Sequence, residues 1–243
     1  MSSSAVAEAV AVPRDAARRL LLIWQDPESR RFVKVGQLHA SPGGRFEFSY
    51  LPAAKAEPGF VPLAQFPRLG EVYESDVLPA FFANRVMSRQ RETYPEYAHQ
   101  LGLNDATATP VEILVRSGGS RATDTFHIVD DLRYHPQGAV VSRFLASGVR
   151  HLRGATDRIA SLRAEQELVL RDEPDNPVNA RAILIDERAG EPVGYVPDWL
   201  ADDVHELRSA SNEVRIFVEQ ANPDARPHLQ LLCRLEAHGV RTD

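Results

Sequence analysis

Polar and apolar positions alternate with period two through the early part of the chain. Leu20 to Trp24 is an unbroken apolar run, and Phe32-Val33-Lys34-Val35-Gly36-Gln37-Leu38 alternates after it. Beyond the turn residues Ser41-Pro42-Gly43-Gly44, Arg45-Phe46-Glu47-Phe48-Ser49-Tyr50 alternates again. That sets Phe46, Phe48 and Tyr50 on one face and Glu47 and Ser49 on the other. Three such segments in succession predict an antiparallel meander. A proline-rich crossing runs from Pro52 to Pro67, and the period then lengthens. Ser75 is placed to cap a helix carrying Val77, Leu78, Phe81, Phe82 and Val86. A second helix is predicted from Tyr94 to Leu101, stopped by Gly102. A third starts at Thr109-Pro110 and runs through Ile113 and Leu114 to Gly118.

The later part reads as short strands with one helix. Val140 to Val149 and Leu168 to Leu170 are strand-like. Ala182 to Ile185 and Val193 to Val196 form a hairpin across the turn from Asp186 to Pro192. Asp198 is placed to cap a helix from Trp199 to Leu207 with Leu200, Val204 and Leu207 on its apolar face. Val214 to Val218 and Leu229 to Cys233 close the series as a last hairpin. This pattern predicts a small closed or half-closed barrel, like the oligonucleotide-binding folds. The fold class is therefore β-rich α+β: a flexible arm over residues 1–17, a meander-plus-helix domain over 18–135, and a barrel with a helix over 139–238. Tyr134-His135-Pro136-Gln137-Gly138 is the predicted linker.

Charge complicates a simple functional reading. The net charge is −6, the isoelectric point is about 5.8, and Lys34 and Lys55 are the only lysines. From Ala139 onward, 13 arginines face 18 acidic residues, a net of −5. A phosphate-binding surface usually shows as a basic face. One stretch fits: Arg143 to Arg171 holds six arginines and His151 against Asp157, Glu165 and Glu167. Cys233 is the sole cysteine, so no intrachain disulfide forms, as expected of a cytoplasmic protein. The arm lacks a positive n-region and has Glu8 in its apolar stretch, so it is not read as a signal peptide. No apolar run approaches the ~20 residues of a membrane span.

Catalytic chemistry finds little footing. No phosphate loop or dinucleotide fingerprint is present, and Gly43-Gly44 and Gly118-Gly119 are turn glycines. His228 and Cys233, five apart on one predicted strand, point to opposite faces and fall short of a closed zinc site. Asp172, Glu173 and Asp175 sit in a proline-bounded turn. Ser88 and Ser142 have no histidine at a triad spacing. The expectation is no enzyme activity, no cofactor and no metal.

Two resemblances add to this reading. The run from Glu173 to Pro197, with Glu173-Pro174-Asp175-Asn176-Pro177 and Val193-Gly194-Tyr195, resembles the signature of the HIRAN domain. That domain is a small β-barrel attached to some DNA-remodelling helicases and also found alone in bacteria. The resemblance spans roughly Phe144 to Leu235 and implies binding of single-stranded DNA or DNA 3′ ends. It maps the nucleic-acid contacts onto Arg150, His151, Asn176, Asn179 and Tyr195. Arg150, in Gly148-Val149-Arg150-His151-Leu152, matches the family's end-binding arginine. The two family aromatics after it are replaced by His151 and Leu152. The family's Tyr-Asp after the Asn-Pro is Val178-Asn179 here, so Asn179 accepts without a charge. Base stacking is worth ~1–3 kcal/mol per base, so these replacements weaken the implied binding.

The first part, roughly Leu20 to Asp130, resembles the N-terminal subdomain of HipA-type kinases, also found as a separate protein in toxin–antitoxin systems. The resemblance rests on Val35-Gly36-Gln37-Leu38, the strand through Tyr50, Pro62-Leu63 and Phe81-Phe82-Ala83-Asn84. It carries no catalytic residue, and Asp130-Asp131-Leu132 is not a metal-binding Asp-Phe-Gly. It implies contact with a kinase core, with Phe60, Phe66 and Phe82 in the partner surface. Two functions therefore stand: a non-catalytic nucleic-acid-binding protein, and an antitoxin-like regulator of a separately encoded HipA-like kinase.

Overall fold

A computed structural model describes residues 17–121, 123–132, 139–188, 190–211 and 213–238. The predicted linker, Tyr134 to Gly138, and nearly all of the predicted arm lie outside these residues. Two antiparallel sheets organise the rest, and the fold is β-rich α+β as expected.

The first sheet is built from β1 (Arg18–Gln25), β2 (Phe32–Ala40), β3 (Phe46–Tyr50), β4 (Val72–Ser75) and β5 (Phe126–Asp130), in the order β4-β3-β2-β1-β5. The meander pairs as its alternation predicts, with Leu38 opposite Phe48 and Leu20 opposite Leu38. One face is covered by the short helices α1 (Pro52–Ala56), α2 (Ala80–Ala83), α3 (Tyr94–Gln100) and α4 (Pro110–Ser117) and their connections. Thr109 and Glu112 form a reciprocal capping box at the start of α4, and Gly118 ends it at φ +71°.

Two expectations for this half fail. Ser75 ends a strand and caps nothing: its hydroxyl bonds the Val77 carbonyl. The expected helix shrinks to the single turn of α2 because Pro79 fixes its start. The aromatics of the proline-rich crossing also fold inward. Phe60 is 8 %, Phe66 3 % and Phe82 0 % exposed, packed around Phe48 and Tyr50. The Phe66 and Phe48 ring centroids lie 4.3 Å apart, and Tyr50 Oη donates to the Phe66 carbonyl at 2.9 Å. Irregular backbone lets alternate aromatics reach the core without a strand, so Phe60, Phe66 and Phe82 present no partner surface.

The second sheet comprises β6 (Ala139–Leu145), β7 (Glu167–Asp172), β8 (Ile183–Asp186), β9 (Pro192–Tyr195), β10 (Glu213–Ala221) and β11 (Leu231–His238), in the order β6-β11-β10-β7-β8-β9. β7 serves both sides: Glu167 and Leu168 pair with β10, and Val169 to Asp172 pair with β8. The sheet curls, and an isolated bridge between Ser147 and Tyr195 joins the chain after β6 to the far edge strand β9. α5 (Ala155–Ser161) and α6 (Asp198–Ala210) cover the core of Phe144, Ile159, Ile185, Val204, Ile216 and Leu235. The predicted strand through Val149 stops at Leu145, because Gly148 at φ +68° turns the chain into a 3-10 turn, Val149–His151. Asp198 is the first residue of α6, and Pro197 stands at the cap without a side-chain bond.

The halves touch through specific side chains. Arg116 of α4 lies 3.6 Å from Glu219 of β10, and Lys34 pairs with Asp203 of α6. Asn222 Nδ2 donates to the Gln100 carbonyl at 2.9 Å. His127 stacks on Trp199 at 6.3 Å between centroids. Glu219 also accepts from Arg143 at 2.6 Å and Arg234 at 2.9 Å. Burial pushes the Glu219 carboxyl up, but these arginines outweigh it and hold it below the usual range.

Candidate nucleic-acid interface

The Ser147–Tyr195 bridge fixes the geometry here. Each residue donates its backbone N–H to the other's carbonyl at 2.9 Å. The two segments approach so closely that side chains are excluded. A Cβ on Gly148 would lie 2.7 Å from Tyr195 Cδ2, and one on Gly194 would lie 2.8 Å from the Ala146 Cβ. The glycines of Gly148-Val149-Arg150 and Val193-Gly194-Tyr195 are therefore demanded by one contact. That contact sets the 3-10 turn with Arg150 and His151 beside Tyr195.

Arg150 and His151 are both exposed, and Arg150 Nε donates to His151 Nε2 at 2.9 Å. A guanidinium only donates, so in this pair the imidazole nitrogen is the acceptor. Of the six arginines from Arg143 to Arg171, three are occupied. Arg143 is bound to Glu219, Arg158 lies near Glu191 and bonds the Pro192 carbonyl, and Arg171 grips Asp186 at 2.6 and 3.1 Å. Arg150, Arg153 and Arg163 have no carboxylate partner among the described residues. A second 3-10 turn, Pro227–Leu229, packs against the first and brings Arg226 and His228 to the same side. Burial, then the Arg226 charge, lowers the His228 pKa, so its ring is neutral at pH 7. The local basic charge is thus carried by arginines.

The Glu173–Asn179 loop is held by its own side chains. Asn176 Oδ1 accepts from the Val178 and Asn179 amides at 3.0 and 3.1 Å, and its Nδ2 donates to Glu173 Oε2 at 2.6 Å. Asn179 Oδ1 accepts from the Arg181 amide at 2.9 Å, while its Nδ2 donates to Asp198 Oδ1 at 3.2 Å. Both asparagines therefore fix the loop. The Asn179 carbonyl keeps one further lone pair for a ligand hydroxyl. Burial first, then a hydrogen bond and the charge of Glu173, raise the Tyr195 phenol above its usual range, so it remains a neutral donor.

The structure thus gathers Arg150, His151 and Tyr195 at one seam and links Asn176 to Tyr195 through Glu173. Asn179 is tied to α6 instead. Ser147, Arg226 and His228 also belong to this side and were not anticipated. They come from sequence positions about 80 apart, brought together only when β11 pairs with β6.

The comparisons with known proteins bear on this half. The HIRAN domain family model matches residues 140–238. The crystal structure of the HIRAN domain of human HLTF is similar at 17% identity, covering 43% of this chain and 84% of that one, with a TM-score of 0.33. A crystal structure of a protein from Lactobacillus plantarum is similar at 17% identity and TM-score 0.33, covering 42% of this chain and 100% of that one. No curated protein matches the chain. None of these findings supports the HipA-subdomain resemblance of the first half. No helix among the described residues is long and apolar enough to cross a membrane.

Proposed function

We propose that the protein is a non-catalytic nucleic-acid-binding protein whose second half holds single-stranded DNA or its 3′ ends. The observation that carries this reading is the HIRAN match over residues 140–238, which includes the seam where Arg150 and His151 meet Tyr195. Arg150 contacts phosphate or a base edge, His151 stacks, Tyr195 lines the groove, and Asn179 offers its remaining lone pair to the sugar hydroxyl. Binding is weak because one histidine stands where the family has two aromatics. It is salt-sensitive, because displaced counterions dominate such binding. The antitoxin-like alternative is less well supported, because the aromatics it assigned to a kinase partner are core.

Anisotropy titrations with free and 3′-phosphorylated oligonucleotides test the reading. Binding at low salt that Arg150→Ala weakens supports it, and preference for the free 3′ hydroxyl supports end recognition. No binding at low salt, or binding indifferent to Arg150→Ala, refutes it. Metal-dependent turnover by the pure protein, abolished by Asp175→Ala, refutes the non-catalytic part.

A further inference from the structure

Two clefts run through the first half and the junction. One, of about 690 Å³, lies between α2, α3 and α4 and is bordered by Met87, Arg89, Arg91 and Tyr94. The other, of about 510 Å³, lies between the halves and is bordered by His127, Ser147, Trp199 and His228. They share Arg85, Tyr97 and Arg121 as walls, so they adjoin, and together they outline a groove. Its junction end reaches Ser147, the residue bridged to Tyr195, and His228, whose turn packs against the turn carrying Arg150. The groove therefore continues from the seam described above.

Its lining is unlike the rest of this acidic protein. No aspartate or glutamate borders either cleft among the described residues. Arg85 is neutralised by Asp124 at 2.6 Å and Arg116 by Glu219 at 3.6 Å. Arg91 and Arg121 are exposed and have no ion-pair partner among the described residues, and Arg89 bonds only the carbonyls of Ala106 and Ala108. Aromatic rings lie among these charges: Tyr94, Tyr97 and the His127–Trp199 stack. The Tyr94 hydroxyl, on a residue only 3 % exposed, has no hydrogen-bond partner among the described residues.

We propose that this groove binds the continuation of a single strand whose end sits at Arg150, a proposal that rests on the nucleic-acid reading of the second half. Unpaired arginines alternating with aromatic faces suit a polyanion that carries planar bases. Arg89, Arg91 and Arg121 take phosphates, while Tyr97 and Trp199 offer stacking faces. The stacking surface missing after Arg150 is thereby supplied by Tyr97 of the first half and by Trp199 of α6 at the junction. An acidic chain binds nucleic acid because its carboxylates are kept off this path.

Oligothymidylates of about 5 and about 15 nucleotides, spanning the usual site sizes, separate the two parts of the path. The full chain binds the longer one at least about tenfold more tightly, and binding quenches Trp199 fluorescence, because the other tryptophan, Trp24, is buried. The double variant Arg91→Glu/Arg121→Glu removes that gain and leaves the short oligonucleotide unaffected. It lowers the slope of log affinity against log salt by about 1.4, from about 0.7 per phosphate contact. Arg150→Ala weakens both lengths. If only Arg150→Ala matters, the groove is refuted and the seam stands. If only the double variant matters, the seam is refuted and the groove stands. Competition by polyglutamate as strong as by oligonucleotide refutes the proposal and identifies an acidic protein segment as the occupant.

Discussion

Replacing Arg234 with methionine probes the ion network that holds the second sheet together and ties it to the first half. Arg234 is 5 % exposed and serves three carboxylates, Glu165 and Glu236 at 2.7 Å and Glu219 at 2.9 Å. Glu165 is 65 % exposed and returns to water at little cost. Glu219 and Glu236 are only 15 % and 12 % exposed at their side chains, so losing the guanidinium leaves two buried carboxylates underpaired. Removing one partner from such a cluster costs about 3–5 kcal/mol. For a chain of this size each kcal/mol shifts Tm by about 2–4 °C, so the expected fall is roughly 6–20 °C at pH 7. The pH dependence follows from the direction of the Glu219 shift. In the native protein its depressed pKa contributes stability above 4.5 that is lost as pH falls through the folded value. In the variant Glu219 has lost one of the arginines that hold its pKa down, so the deficit shrinks on acidification. Adding Glu236→Leu recovers part of the loss at pH 7. Differential scanning fluorimetry at pH 7 and pH 4 decides the matter. A fall under about 2 °C at pH 7, or an equal fall at both pH values, refutes the reasoning.

Three further outcomes are expected. Gly148→Ala lowers stability by about 2 kcal/mol, part from a left-handed backbone that alanine resists and part from the displaced Tyr195 ring; an unchanged urea midpoint contradicts the close approach. Burial raises Asp130 from 3.8 to about 6 against the pull of Arg18, Arg143 and Arg116, so the folded state holds its proton more tightly and stability falls as pH rises through that window. Asp130→Asn therefore raises stability, and with it Tm, at pH 7 but not at pH 3.5, by at most about 3 kcal/mol of unfolding free energy because Arg18 loses its partner; equal melting curves at pH 7 contradict it. Phe66→Ala costs about 3–5 kcal/mol as a core truncation, read by chemical unfolding, and a loss under about 1 kcal/mol contradicts the core placement.

Strands whose alternation matched their burial were legible in the sequence. Phe48 and Tyr50 face the core as period two requires, and Thr109 to Gly118 carries both of its end signals. β4 and β5 escaped notice because each is a short edge strand, Val72–Ser75 and Phe126–Asp130, too brief for its alternation to stand out. α5 lay inside the arginine-rich stretch, where charge drew attention from Ala155 and Ile159 on its buried side. The prolines around Phe60 and Phe66 suggested surface, although tertiary packing decided otherwise. The two stretches that meet at the seam, around Gly148 and Tyr195, were both singled out by their motifs. The groove was not, since Tyr94, Arg121, Trp199 and His228 share no local pattern and meet only through the junction.

The pairing of β6 with β11 has a consequence for synthesis on the ribosome. Ala139 sits opposite His238 and Leu145 opposite Leu232, so the first strand of this half waits for its last. At about 5–20 residues per second, β6 spends roughly 5–20 s with neither edge matched. During that interval it is open to pairing with another nascent chain. Arg143 places a charge in the middle of this strand, at the position that later receives Glu219. The residue that anchors the finished sheet is thus also placed to keep its first strand from pairing wrongly before the last one arrives.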